Sequence, residues 1–467
     1  MNNKVNVLRL TLVVALGGLL FGYDTAVISG ATEALQSYFQ LTPAELGFAA
    51  SSALIGCVLG AIVAGDFSSR YGRRGALKIA ALLFLISAVG SAIPESYWTF
   101  VVYRIIGGIG VGIASMVSPM YIAEVAPPKK RGGLVACNQF AIIFGMLVVY
   151  FVNYGIALIG TETWLNTTGW RYMFASEVIP AGLFLLLLFT VPETPRWLAM
   201  RGRNDEAYSL LKALNNGNGA DVDHQWRDIQ SSFKQHNSTS IVASGFFGVL
   251  VIGIMLSVLQ QVTGINVFLY YAPTILKGFS NSSIDIALLQ TILVGAVNLG
   301  FTVVAILTVD KFGRRPLMML GAALMAVSMI AIGTAAYLNA IGGYLLIFVL
   351  LYIGAFALSL GPVVWVLLSE IFPNSIRSKA LSIAVFAQWA ANFVVSQTFP
   401  MMNDPQSSVY QTFNGGFPFW LYGVMGIFTI YFIYKWVPET KGKSLEELEE
   451  LWEKSAKSAE EKMITNH

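Results

Sequence analysis

The hexapeptide SRYGRR, residues 69–74, sits between two long apolar runs, and a near copy, DKFGRR, occupies residues 310–315 in the same setting. Two further pairs keep step with it: EVAPPKKR (124–131) returns as EIFPNSIR (370–377), and PETPR (192–196) returns as PETKG (438–442). The offset stays between 241 and 246 residues in all three pairs. Chance rarely produces that three times, so the chain reads as a duplication of one apolar unit.

The apolar segments around these motifs give the size of the unit. A bilayer-crossing helix needs ~20 mostly apolar residues. Such segments lie near 8–30, 46–66, 76–93, 98–122, 134–159 and 171–191, then near 245–275, 286–308, 316–338, 343–368, 379–400 and 417–437. The expected fold class is all-α integral membrane, with twelve transmembrane helices in two six-helix pseudo-symmetric halves. Residues 1–194 form the N-terminal half and 241–440 the C-terminal half. Between them, 195–240 carries Arg196, Arg201, Arg203, Lys212, Arg227 and Lys234 and reads as a cytoplasmic linker of short amphipathic helices broken at NNGNG. Residues 441–467 read as a short helical cytoplasmic tail.

Composition agrees. A chain of 467 residues that is 55% hydrophobic and 12% charged, with a mean hydropathy of +0.65, is too apolar for an ordinary soluble domain, and no nucleic-acid partner is expected. The net charge of +3 matters less than its placement. Lys4, Arg9, the Arg70–Arg73–Arg74 group, Lys129 to Arg131, the linker, Lys311, Arg314, Arg315, Arg377, Lys379 and the tail lysines all fall on one side, with only Arg104, Arg171 and Lys277 apart. By the positive-inside rule that side is cytoplasmic, and both termini lie there. The opening MNNKVNVLRLTLVVALGGLLFGYD lacks a small-residue cleavage pattern and reads as a retained first span. Cys57 and Cys137 fall in apolar runs and the three histidines in polar ones, so neither a disulfide framework nor a metal site is expected.

With the Gly-Arg-Arg loops and the PETPR and PETKG ends, RIIGGIGVG from Arg104 and QQVTGIN from Gln260 make the chain resemble the sugar porter family of the major facilitator superfamily. Within that family the likeness is strongest to the bacterial proton-coupled D-xylose symporters. The resemblance implies the major facilitator fold in a bacterial inner (plasma) membrane. It also implies a monosaccharide and a proton as the transported species, alternating access by a single chain, and neither a cofactor nor covalent chemistry. Two residues depart from the family pattern: Ser69 stands before Arg70 where an acid is common, while the second copy keeps Asp310 before Lys311. Met146 stands where xylose symporters tend to carry an amide.

A neutral polyol offers alternating donors and acceptors, and amides match both without adding charge to the membrane. Gln139 in the fifth span, Gln260, Gln261 and Asn266 in the seventh, and Gln388 with Asn392 in the eleventh are the candidates. Trp365, after the Gly361–Pro362 pair expected to break the helix, and Trp389 offer flat faces for a sugar ring, and Tyr270 adds a hydroxyl. Taken singly, any of these could be inter-helix glue. Six amides in three otherwise apolar spans, with the family likeness, favour binding.

The first span carries one bare acid, in LLFGYDTAVISG (19–30). An ionised group at mid-bilayer depth costs ~2.5–3.5 kcal/mol or more, so Asp24 needs a wet cavity or a partner. Arg104 is the expected partner and Glu177 the second acid. Overlay of the halves puts GYD (22–24) on GIN (264–266), so only the first half can bind a proton there. A static buried ion pair is the competing reading. The remaining charged residues, Arg73, Arg74, Glu124, Arg131 and Glu193 with their repeats Arg314, Arg315, Glu370, Arg377 and Glu439, are expected to form cytoplasmic gating pairs when that side closes. An uncoupled hexose or pentose carrier and a membrane sugar sensor are the rival functions, and residues alone do not separate xylose from glucose.

Overall fold

A computed structural model describes residues 6–127, 130–215, 219–234, 246–280, 283–372 and 376–441. Its twelve candidate spans are Val7–Gly30, Pro43–Tyr71, Arg73–Ala92, Tyr97–Val125, Arg131–Ala157, Glu162–Leu187, Phe247–Phe279, Ile284–Val309, Arg314–Tyr337, Leu345–Leu368, Lys379–Met402 and Phe417–Trp436. They are numbered one to twelve below. Even the shortest, at 20 residues, reaches ~30 Å, the thickness of the hydrocarbon layer. Inside hydrocarbon every backbone polar group needs an internal partner, so apolar runs of this length fold as helices.

The chain forms two compact units, Met1–Leu41 with Ser52–His236, and Thr42–Ser51 with Asn237–His467. In the first unit the first span packs along the fifth and the third along the fourth; in the second, the seventh packs along the eleventh and the ninth along the twelfth. Thr42–Ser51, the start of the second span, groups with the second unit because Gln397 reaches it. The Gln397 Nε2 donates to the Ala44 carbonyl at 2.8 Å, and its Oε1 accepts from Ser51 Oγ at 3.1 Å. The linker folds as Pro195–Met200, Asn204–Leu214 and Gly219–Lys234, all in the first unit. The expected tail helix lies outside the described residues.

Three spans differ from the sequence expectation. The sixth starts at Glu162, well before 171, through a π turn at Leu165–Gly169. The seventh is two helices, Phe247–Val262 and Ile265–Ser280, parted at Gly264, whose φ of +94° suits glycine. The tenth breaks at Ser359 (φ −127°, ψ −95°), two residues before the Gly361–Pro362 pair. The reason is positional: Pro362 falls in the first turn of the next helix, where its missing N–H breaks no helical bond.

Candidate functional site

Within the first unit, Asp24 and Arg104 meet as expected. The Arg104 guanidinium donates to Asp24 Oδ1 at 2.8 Å and to the Asp24 backbone carbonyl at 3.0 Å. Both side chains are at most 1% exposed. Glu177, between the two helical parts of the sixth span, is equally buried, and its carboxyl lies against that of Asp24. The Phe174 ring faces the guanidinium at 5.5 Å, and fully buried Cys57 lies within reach of both charges. Asp24 Oδ2, Arg104 Nε and Glu177 Oε1 have no hydrogen-bond partner among the described residues. Two acids and one base thus share a site closed to solvent, where charges interact far more strongly than in water.

Within the second unit the amides converge on the two helix breaks. Gln260 Nε2 donates to the Leu360 and Gly361 carbonyls at 2.7 and 3.0 Å, the first turn after the tenth-span break. Its Oε1 accepts from Gln261 at 3.1 Å and from Gln388 at 2.9 Å, and Gln261 Oε1 accepts from Asn266 at 2.5 Å. Tyr352 donates to the Thr263 carbonyl at 2.8 Å, supporting the seventh-span break. The four amides therefore orient one another through seventh-to-tenth and seventh-to-eleventh contacts. The buried Gln388 Oε1 remains an acceptor with no donor.

The cytoplasmic motifs assemble twice in the same geometry. Gly72 and Gly313 adopt φ of 87° and 89°, ending one span and starting the next. In the first unit Glu193 accepts from the Arg73, Arg74 and Thr194 backbone amides at 2.9 to 3.2 Å, so a carboxylate sits on the positive start of the third span. Arg73 pairs with Glu124 at 2.9 Å, and Thr194 Oγ1 donates to the same acid at 2.5 Å. In the second unit Glu439 accepts from the Arg314 and Arg315 amides at 3.1 and 3.0 Å, Arg314 pairs with Glu370 at 3.0 Å, and Thr440 Oγ1 donates to Glu370 at 2.6 Å. Burial pushes the Glu193 carboxyl above the ordinary carboxylate range, against the pull of those amides and the Arg74 charge.

Several expectations shift. The Arg73–Glu124 and Arg314–Glu370 pairs each close within one unit, where the sequence reading treats these charges as meeting on gate closure. Arg131 is exposed and has no ion pair among the described residues, and the Arg377 side chain lies outside them. Gln139 is half-buried and makes no side-chain hydrogen bond among the described residues. Tyr270 and Trp389 are buried and Trp365 is 37% exposed, while Asn392 accepts from Ser396 at 2.9 Å. Sequence reasoning passed over Thr194 and Thr440, although both stand in the repeated PET and repetition was the available signal. The carbonyls at the Ser359 break had no such signal.

A family model described as sugar (and other) transporter matches residues 10–452. The D-xylose-proton symporter of Escherichia coli strain K12 is 54% identical over 99% of this chain and 99% of its own. The arabinose-proton symporter of Bacillus subtilis strain 168 is 42% identical over 96% of this chain and 95% of its own. Among solved structures, an inward-open conformation of the xylose transporter from E. coli matches with a TM-score of 0.85 at 53% identity, covering 96% of this chain and 100% of that one. With its duplicated turns, twelve spans and full-length likeness, this multi-pass membrane protein belongs to the sugar transporter family, on the major facilitator fold.

Proposed function

We propose that this chain is a proton-coupled symporter that imports D-xylose by alternating access. The observation that carries the coupling is the buried Asp24–Arg104–Glu177 cluster. With both acids ionised the site holds a net negative charge away from water; one bound proton makes it neutral. Proton loading on Asp24 removes the charge that holds Arg104 and frees the guanidinium to move. Proton and sugar then act on one conformational equilibrium, to the extent that each binds its two states differently.

For the sugar, support comes from the self-oriented amides Gln260, Gln261, Asn266 and Gln388, with the open Gln388 Oε1 suited to a hydroxyl donor. Gln139, Tyr270, Trp365 and Trp389 complete the proposed binding set, and Asn392 supports it. In this reading 1–194 and 241–440 are the moving halves, joined by the 195–240 linker, with 441–467 as the tail. The Gly-Arg-Arg sides, the termini and the tail face the cytoplasm. The intra-half pairs Arg73–Glu124 and Arg314–Glu370, with Arg74, Arg131, Glu193, Arg315, Arg377 and Glu439, set the shape of the gating ends. Both pairs are largely shielded from solvent, and networks of such pairs bias a two-state balance. The related D-xylose-proton and arabinose-proton symporters point the same way. Uptake of labelled xylose and glucose into proteoliposomes, with and without an imposed pH gradient, tests the reading: xylose accumulates only with the gradient. Uptake that merely equilibrates under both conditions would identify an uncoupled carrier.

A further inference from the structure

The third span carries two serines, Ser87 and Ser91, one turn apart on one face and each 1% exposed. A hydroxyl inside an apolar helix ordinarily donates to its own backbone one turn back. Elsewhere in this chain Thr25, Thr291, Thr308, Ser328 and Thr398 do so, while Thr11, Ser118 and Ser257 have no partner among the described residues. Ser87 and Ser91 do not, and neither Oγ has any partner among the described residues.

Their surroundings explain what they face. The fourth span meets this face antiparallel: a methyl on Gly90 would overlap Tyr103, and one on Gly107 would overlap Ser87 Oγ while lying 3.2 Å from Asp24 Oδ1. Gly107 therefore holds Ser87 and the Asp24 carboxyl against one small patch of backbone. Gly90, which precedes Ser91, packs on Tyr103, which precedes Arg104. The ionisable and charged groups gathered here include Tyr23 and Asp24 from the first span, Cys57 from the second, Tyr103 and Arg104 from the fourth and Glu177 from the sixth. Asp24 Oδ2, Arg104 Nε, Glu177 Oε1 and Ser87 Oγ, with Ser91 Oγ one turn along the third span, are left without a protein partner among the described residues. Each unmet group of this kind costs roughly 1–3 kcal/mol if dry, so native proteins satisfy such clusters with bound water. The third span ends at Ala92, so Ser91 stands at its end opposite the Gly72 turn.

We propose that Ser87 and Ser91 bind a short file of water that relays protons to Asp24 from the face opposite the Gly-Arg-Arg turns; the relay rests on the coupling reading above. A proton reaching water beside Ser91 passes along O–H bonds to water at Ser87 and then to Asp24 Oδ2. Each carrier gives up one proton and takes one, so serines and waters end unchanged and only the Asp24 carboxylate becomes a carboxylic acid. No redox partner is needed. The second half lacks the device. At the spacing that separates Arg73 from Arg314, Ser87 corresponds to Ser328, which bonds its own backbone at 2.8 Å, and Ser91 to Ile332.

A relay changes how fast protons arrive and leaves unaltered how many are coupled. That separates Ser87 and Ser91 from Asp24. The test uses the full chain in proteoliposomes with Ser87→Ala, Ser91→Ala, the double variant, and Ser91→Thr as hydroxyl-retaining control. Initial pH-driven xylose uptake and sugar counterflow at symmetric pH are measured in the same vesicles, with melting temperature as a check on folding. The double variant should slow pH-driven uptake about tenfold relative to counterflow, yet approach the same final accumulation, and Ser91→Thr should restore speed. An unchanged ratio of the two rates, equal loss of both, or a raised melting temperature without kinetic change would overturn the relay alone. Failure of the unaltered chain to accumulate sugar under a pH gradient would overturn the coupling reading and the relay with it.

Discussion

The two halves share their turns and part company at mid-depth. At the turns the match is close: Gly72 and Gly313 differ by two degrees in φ, and Glu124 and Glu370 each hold an arginine and a threonine. In the middle, first-half residues Asp24, Cys57, Arg104, Gly107 and Glu177 correspond to Asn266, Asn298, Leu350, Ile353 and Gly423 in the second. The backbone diverges with them. The fourth span is one helix, Tyr97–Val125, and the first stays helical past Asp24, whereas the seventh and tenth are each broken. Continuous helices satisfy their own backbone and can hold a fixed ion pair. Broken helices in transporters offer backbone and amide groups to a neutral polar ligand. Under the proposed function, one duplicated unit thus carries two chemistries, proton and sugar, while its turns keep the same geometry.

The largest expected effect comes from erasing that division. Asp24→Asn gives the first half the amide of the second, polar and of similar size, which mimics the protonated acid but never ionises. Uphill accumulation driven by a pH gradient should be abolished, with sugar exchange retained. A static pair predicts joint loss, since Arg104 left buried and unpaired costs roughly 3–5 kcal/mol. Counterflow beside proton-driven uptake in the same vesicles separates the two, and continued pH-driven accumulation would remove Asp24 from the proton path.

Next in size is the second half. Gln261→Ala and Gln388→Ala each remove an amide from the pre-oriented network, leaving sugar hydroxyls and neighbouring amides unmatched at roughly 1–3 kcal/mol each, about 5- to 150-fold in affinity. Calorimetry with xylose on purified protein reads this directly. Undiminished binding in both variants would move the sugar site away from the helix breaks.

Met146 sharpens the comparison at one position. By the spacing of Arg131 and Arg377 its counterpart is Asn392, so the first half is apolar where the second has an amide. Met146 is 8% exposed and its backbone nitrogen lies 3.1 Å from where a Gly22 methyl would stand, which fixes it against the turn before Asp24. Met146→Gln should shift preference toward xylose over glucose by no more than about tenfold. Competition uptake showing an unaltered inhibition ratio would remove Met146 from the site.

The sequence disclosed these features unevenly, for physical reasons. Span number and the repeated turns were legible because hydropathy and Gly-Arg-Arg spacing are local. The Asp24–Arg104 pair was legible because membrane segments carry few charges, leaving few possible partners. The break at Ser359 was not, since serine tolerates many conformations and Pro362 drew attention to the wrong residue. The Ser87 and Ser91 orientations were hidden for a similar reason: a helical serine that bonds its own backbone and one that faces a charged cluster are the same letter. The intra-half direction of the Arg73 and Arg314 pairs depended on side-chain geometry that no spacing encodes.

The smallest expected effect belongs to a turn. Glu193 places its carboxylate on the Arg73, Arg74 and Thr194 amides, and Glu193→Gln keeps one acceptor oxygen but turns an NH2 toward the remaining amides, costing about 0.5–2 kcal/mol near neutral pH, as loss of a helix cap does. The pH dependence gives the sharper test. Burial raises the Glu193 pKa in the folded chain, so between the ordinary carboxylate value and that raised value the folded state binds more protons than the unfolded. Stability from this group is therefore full below the ordinary value and is lost as pH rises through the raised one. Glutamine does not titrate. The melting temperature of the unaltered chain minus that of Glu193→Gln, measured in one detergent, should accordingly grow on acidification through that window. A difference that stays flat, or shrinks, would show that the amides and Arg74 outweigh burial and that the turn holds its carboxylate as firmly charged as an exposed cap.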